Sequence, residues 1–116
     1  MKLVVLKFGG TSVGTIENIK KVAEIIKKFK KKKYSVIVVS SAMSGVTNAL
    51  IKKSKDICEN FSDAEYDALV SSGEQVACSL IAGRLKHIGL NSRSWLAWQV
   101  PILTSGSHKN SRIIQI

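Results

Sequence analysis

The run Lys2-Leu3-Val4-Val5-Leu6-Lys7-Phe8-Gly9-Gly10-Thr11-Ser12 decides how the chain is read. Its apolar, β-branched part has the length of a buried strand, and the two glycines stop it. From Ile16 the pattern changes. Apolar residues at Ile16, Ile19, Val22, Ala23, Ile26 and Phe29 recur three and four apart, which describes one stripe of an amphipathic helix. Glu17 suits its first turn, and Thr15 or Ser12 can cap it. A second continuous apolar strand follows at Ser35–Ser40.

Beyond that strand, the small-residue loop Ser41–Gly45 leads into a helix expected from about Val46 to Glu59. A longer helical stretch is expected from about Asp63 to His87, with apolar positions at Leu69, Val76, Leu80, Ile81 and Leu85. Gly73 should break or bend it, and Gly89 should end it as the C′ residue. Trp95, Ala97 and Trp98 suggest a third strand, and Arg112–Ile116 the opening of a fourth. Strands that alternate with helices and are apolar throughout imply a parallel sheet covered on both faces. The expected fold is therefore α/β, a three-layer αβα arrangement with a mostly parallel sheet. The pattern reaches Ile116 inside an apolar run, so residues 1–116 are expected to be the first part of one domain, incomplete at its C-terminus.

With 116 residues there is room for one modest core. Hydrophobic residues make up 45% and charged residues 22%, a globular balance that excludes whole-chain disorder. No uninterrupted apolar stretch exceeds four residues, where a membrane helix needs about 20. Lys7 also interrupts the first apolar run before it reaches the length of a signal-peptide core. The expectation is a cytoplasmic protein with no membrane partner.

The formal net charge is +10, and eight lysines against one glutamate between Lys20 and Lys33 place +7 of it in fourteen residues. That run falls at the end of the first helical pattern, where cations suit the negative pole of the helix dipole. It reads first as a solvated helix end, with a polyanion site as the lesser alternative. Three arginines among eighteen basic residues, with no aromatic-rich basic motif, argue against base readout of nucleic acid. Cys58 and Cys78 lie too far apart for a zinc or C-x-x-C pair and read as buried thiols. Nothing in the pattern assigns His87 or His108 to catalysis.

Chemistry is expected at the carboxyl ends of the strands, where open α/β sheets bind ligands. Lys7-Phe8-Gly9-Gly10-Thr11-Ser12 follows the first strand and Ser40-Ser41-Ala42-Met43-Ser44-Gly45-Val46-Thr47-Asn48 follows the second. Each leads into a helix N-terminus, which offers free backbone N–H groups to an anion. Two ordinary strand-to-helix turns would use the same residue types. Neither loop is a Walker A or a G-x-G-x-x-G turn. Ser71-Ser72-Gly73-Glu74 is a third candidate: its carboxylate suits a substrate ammonium, or else marks a helix start.

Taken together, Lys-Phe-Gly-Gly-Thr-Ser at 7–12, Ser-Ala-Met-Ser-Gly-Val-Thr-Asn at 41–48 and Ser-Gly-Glu at 72–74 resemble the opening half of the aspartate kinases, in order and in spacing. The tail from Gln99-Val100-Pro101-Ile102 through His108 to Arg112-Ile113 resembles the same family, although Thr104-Ser105-Gly106-Ser107 lacks the acidic residue usual there. The resemblance implies an amino-acid-kinase-like fold and phosphorylation of the side-chain carboxylate of L-aspartate by ATP with Mg2+, toward lysine, threonine, methionine and diaminopimelate. It implies no tightly bound cofactor and no metal ligand in this chain. Lys7, with Phe8, Gly9 and Gly10, would contact the ATP phosphates, Lys7 as the catalytic charge. Ser41 and Thr47 would border the aspartate site, and Glu74 would bind the ammonium. The family's nucleotide-binding half and regulatory ACT domains have no counterpart here, so a complementary kinase half or a full-length subunit is the expected partner. The chain alone is expected to be inactive. A non-catalytic residual domain that binds aspartate or phosphate weakly, or pairs with another subunit, is the alternative.

Overall fold

A computed structural model describes residues 2–116. The elements are β1 (Lys2–Phe8), α1 (Ile16–Lys31), β2 (Tyr34–Ser40), α2 (Val46–Ile57), α3 (Asp63–His87), β3 (Leu103–Ser105) and β4 (Arg112–Gln115). β1 and β2 pair in parallel, with Lys2 opposite Tyr34 and Phe8 opposite Ser40. α1 supplies the crossover between them, as the periodicity of its apolar stripe predicts.

Thr15 caps α1: its backbone is extended and its Oγ1 accepts from the Asn18 N–H at 3.1 Å. Ser12, the other candidate, lies in the loop. Ile19, Val22, Ala23 and Ile26 form the buried side of α1. They pack with Ile81 and Leu85 of α3 and with Leu6, Phe8, Val36 and Val38, which project from the covered face of the strands. Fully burying each large aliphatic side chain contributes roughly 1.5–3 kcal/mol. Ile16, at the start of the predicted stripe, is 53% exposed.

Side chains of a strand alternate between its two faces. Leu3, Val5, Ile37 and Val39 therefore share the opposite face, and each is 49–61% exposed. Among the described residues, helices cover one face of the β1–β2 pair rather than both. α2 packs on α3.

Three local expectations are corrected. α3 runs unbroken through Gly73. A Cβ there would lie 3.1 Å from both the Ala42 Cβ and the Val46 Cγ1, so this glycine answers a close approach and marks no bend. Trp95, Ala97 and Trp98 form no strand. The chain turns there, with Val100 N–H donating to the Leu96 carbonyl and the Gln99 Oε1 accepting from the Leu96 N–H. These local bonds use up donors that a ladder would need, and Trp98 stays 74% exposed. The fourth strand exists, but β4 pairs antiparallel with β3 in a separate hairpin instead of joining the parallel pair.

Gly89 ends α3 as expected. Its φ is +84°, Leu90 N–H donates to the Leu85 carbonyl at 2.9 Å and Gly89 N–H to that of Lys86 at 3.0 Å, which is a Schellman motif. The thiols are not both buried: Cys58, at the C-cap of α2, is exposed and Cys78 is half-buried. Sequence spacing excludes a metal pair but says nothing about which side of a helix a cysteine occupies.

Candidate active site

Two loops meet at the carboxyl ends of β1 and β2. Ser41 N–H donates to the Phe8 carbonyl at 3.0 Å, extending the parallel ladder one step beyond the strands. The Gly9–Gly14 loop folds on itself through Ser12 N–H and Val13 N–H, both donating to the Gly9 carbonyl. That turn drives Val13 into the core, where it is fully buried. Asn18 closes the loop from α1, its Nδ2 donating to the Thr11 carbonyl at 3.1 Å.

Glycines set how near the loops come. A Cβ on Gly10 would stand 3.2 Å from the Ala42 carbonyl oxygen, and one on Gly14 would stand 3.2 Å from the Ser44 Cβ. With Gly73 against Ala42 and Val46, three points of close backbone approach join the first loop, the second loop and the middle of α3. Ala42 is 4% exposed at the centre of this junction. Its N–H donates to the Glu74 Oε1 at 3.4 Å. The three segments singled out in the sequence therefore lie together in space.

Glu74 stands eleven residues into α3, so it is no helix-start carboxylate and the dipole gives no account of it. Its contact with the Ala42 amide is long, which leaves capacity for a further donor. Gly45 is the N-cap of α2, with a φ of +80° that suits glycine, and no side chain caps the helix. Val46 N–H donates to the Met43 carbonyl at 3.1 Å, so the amides of Thr47 and Asn48 are the ones open to an anion, in contrast to the capped start of α1. Ser41 and Thr47 are half-buried at this mouth. Lys7 is exposed on the uncovered face of β1, opposite Val39, with Phe8, Gly9 and Gly10 half-buried behind it.

A well-formed cavity lies elsewhere. It has a volume of about 780 Å³ and runs along the outer edge of β2, lined by Val36, Val38, Ile81, Leu85, Trp95 and Pro101 among others. None of Lys7, Ser41, Thr47 and Glu74 borders it. Its walls are mostly apolar, with Lys30 and Arg93 but no carboxylate among them, so the loop junction, where Glu74 meets the strand-end loops, is the better site for a zwitterionic substrate.

Sequence reading missed two features. Gly14 and Ala42 shape the junction through backbone proximity, which no local pattern announces. The second is a polar clamp between α3 and the hairpin turn. Asp67 Oδ2 accepts from the His108 Nδ1 at 2.8 Å and from the Lys109 N–H at 3.1 Å. The Lys109 Nζ reaches Asp63 Oδ1 at 2.6 Å and lies 4.4 Å from the Tyr66 ring centroid. The Lys109 amide, and then the His108 ring, hold the Asp67 carboxyl below its ordinary value. Asp63 raises the Lys109 ammonium in turn. Partners some forty positions apart leave no signal in one sequence.

Parallel strands with glycine-bearing loops at their carboxyl ends, each leading into a helix N-terminus, define an anion-binding type of α/β site. The amino acid kinase family matches residues 2–116, and the chain belongs to that family. It is 49% identical to an aspartate kinase of Stutzerimonas stutzeri over all of its own length and 28% of that protein. It is 48% identical to an aspartokinase of Rickettsia bellii over 97% of its own length and 29% of that one. The crystal structure of aspartate kinase from Synechocystis matches at a TM-score of 0.72 and 44% identity, over 75% of this chain and 15% of that chain. The expected amino-acid-kinase-like α/β fold is thereby borne out. The chain spans under a third of the curated relatives it matches, and no helix among the described residues is long and apolar enough to cross a membrane.

Proposed function

We propose that this chain is the amino-acid-binding, amino-terminal part of an aspartate kinase, in which the side-chain carboxylate of L-aspartate takes the γ-phosphoryl group of MgATP to give 4-phospho-L-aspartate. The observation that carries this reading is the junction of the two loops with Glu74 through Ala42. Glu74 supplies a carboxylate there, suited to a substrate ammonium. The open start of α2 with Ser41 and Thr47 suits a substrate carboxylate, and Lys7 beside Gly9 and Gly10 suits the phosphates.

The chemistry asks little more of this chain. An aspartate carboxylate is already ionised at neutral pH, so the nucleophile needs no general base. Phosphoryl transfer rests on positioning and on neutralising charge spread over the phosphoryl oxygens. A lysine and backbone amides do both, and Mg2+ arrives on the phosphates of the substrate. The remainder of the nucleotide site belongs to a complementary kinase part, which is the partner this reading requires.

Mixing the chain with the portion of the Stutzerimonas stutzeri aspartate kinase that lies beyond the matched region tests the proposal. ADP release is followed with MgATP and L-aspartate. The expected result is turnover by the mixture and none by the chain alone. A stable mixture without turnover would favour a non-catalytic binding domain, and turnover by the chain alone would contradict the need for a partner.

A further inference from the structure

The outer face of α1 carries more positive charge than a helix end can use. At 3.6 residues per turn, Lys20, Lys27 and Lys31 form one row and Lys21, Lys28 and Lys32 a second, with Glu17 and Glu24 between them, on the side away from buried Ile19, Val22, Ala23 and Ile26. All but the half-buried Lys27 are exposed, and Lys33 extends the patch past the helix end, while Lys30 follows Ile26 on the core side of α1. Lys2, whose register partner is Tyr34, adds a further cation beside Lys33. Lys20 is paired with Glu17 at 2.7 Å. Among the described residues, Lys27, Lys28, Lys30, Lys31, Lys32 and Lys33 make no ion pair.

The C-terminal pole of a helix carries about half a negative charge, which accounts for one or two of these lysines. Like charges four apart, as in Lys27 with Lys31 and Lys28 with Lys32, destabilise a helix. The surplus is thus unfavourable to the fold unless an anion meets it.

We propose that this face binds the phosphate backbone of nucleic acid without sequence preference. Lysines are compact point charges that neutralise phosphates, and they lack the planar fork that reads base edges. Ile16 at 53% and Ile25 at 40% are the large apolar side chains exposed on α1, too little apolar surface to seat it in a membrane. Lys20 and Lys21 lie in the first half of α1, and the dense part of the patch, Lys27 to Lys33, lies where α1 returns to β2 at the amino ends of the strands. The junction of Lys7 and Glu74 lies at their carboxyl ends, so the two sites are separable and this inference stands apart from the kinase reading.

Fluorescence anisotropy with labelled 20-nucleotide single strands, one a homopolymer and one of mixed sequence, tests it across a salt series. The expected dissociation constant is about 10⁻⁶–10⁻⁴ M at roughly 150 mM salt and is alike for both strands, with a log–log salt slope of about −3 to −4 for some five phosphates. Combining Lys27→Gln, Lys28→Gln and Lys31→Gln should weaken binding at least tenfold and reduce the slope by about 2. Combining Lys52→Gln, Lys53→Gln and Lys55→Gln on α2 removes the same charge and should change affinity less than threefold. Equal losses in the two triple variants would reduce the effect to net charge and overturn the proposal. No binding at 150 mM salt, or tighter binding to phosphatidylserine vesicles than to the oligonucleotides, would overturn it as well.

Discussion

Lys7 and Glu74 show what a single residue reveals in sequence and what it needs a structure to reveal. A lysine at the end of an apolar strand beside two glycines is conspicuous, because nothing in a buried strand calls for a charge there. In the reconstituted kinase, Lys7→Ala should lower turnover about 10²–10³-fold, the scale of one lost charge contact to a transferring phosphoryl group. The chain should still melt near its usual temperature, since Lys7 is exposed. Near-full activity in that variant would return the loop to an ordinary turn. Glu74 was ambiguous in sequence, and its place in the middle of α3 beside Ala42 removes the capping account. Glu74→Gln keeps shape and loses charge. Aspartate should then bind about ten- to a hundredfold more weakly, as for the loss of roughly 1.5–3 kcal/mol from a charge-assisted hydrogen bond, while ATP binding holds. Titrating each ligand against both proteins separates the roles, and an unchanged aspartate affinity would take Glu74 out of the site.

At the level of elements, legibility followed the range of the forces involved. β1, α1, β2, α2 and α3 were readable because periodicity and capping are local: the stripe of α1, the cap at Thr15 and the stop at Gly89 each lie within a few residues. The hairpin is not legible in the sequence because its stability is not local. Leu103–Ser105 is too short to announce itself, and what fixes the turn is Asp67, forty-odd positions away. That clamp makes a prediction with a definite sign. The folded carboxyl of Asp67 lies below the ordinary aspartate value of 3.8. Its contribution is therefore complete above that value and is lost as pH falls through the lower folded one. The Lys109 amide proton resonance should shift with a midpoint below 3.8, together with faster hydrogen exchange across Leu103–Ser105 and Arg112–Gln115. Asp67→Asn should abolish the transition. A midpoint at or above the ordinary value would mean that the clamp is not held in solution.

For the molecule as a whole, the two faces of the β1–β2 pair present an imbalance. One face carries Leu6, Phe8, Val36 and Val38 under α1 and α3; the other leaves Leu3, Val5, Ile37 and Val39 half-exposed or more. Parallel strands are ordinarily covered on both faces, and an apolar patch of this kind marks a surface that something meets. Because Lys7 sits at the end of the same face, whatever covers it also lies beside the proposed phosphate contact. If that cover is the complementary kinase part, then Ile37→Asp should leave the melting temperature of the isolated chain nearly unchanged, since the side chain is already 50% exposed. The same change should prevent association with the complementary part, because it would bury an unpaired carboxylate. Ile26→Asp is the contrasting variant: at 3% exposure it should unfold the chain outright. Pull-down of the complementary part, paired with thermal melts of the three proteins, reads both effects. Undiminished association by a folded Ile37→Asp chain would show that the kinase parts meet elsewhere, at the free edge of β2 or through the hairpin, and that the bare face stays in water.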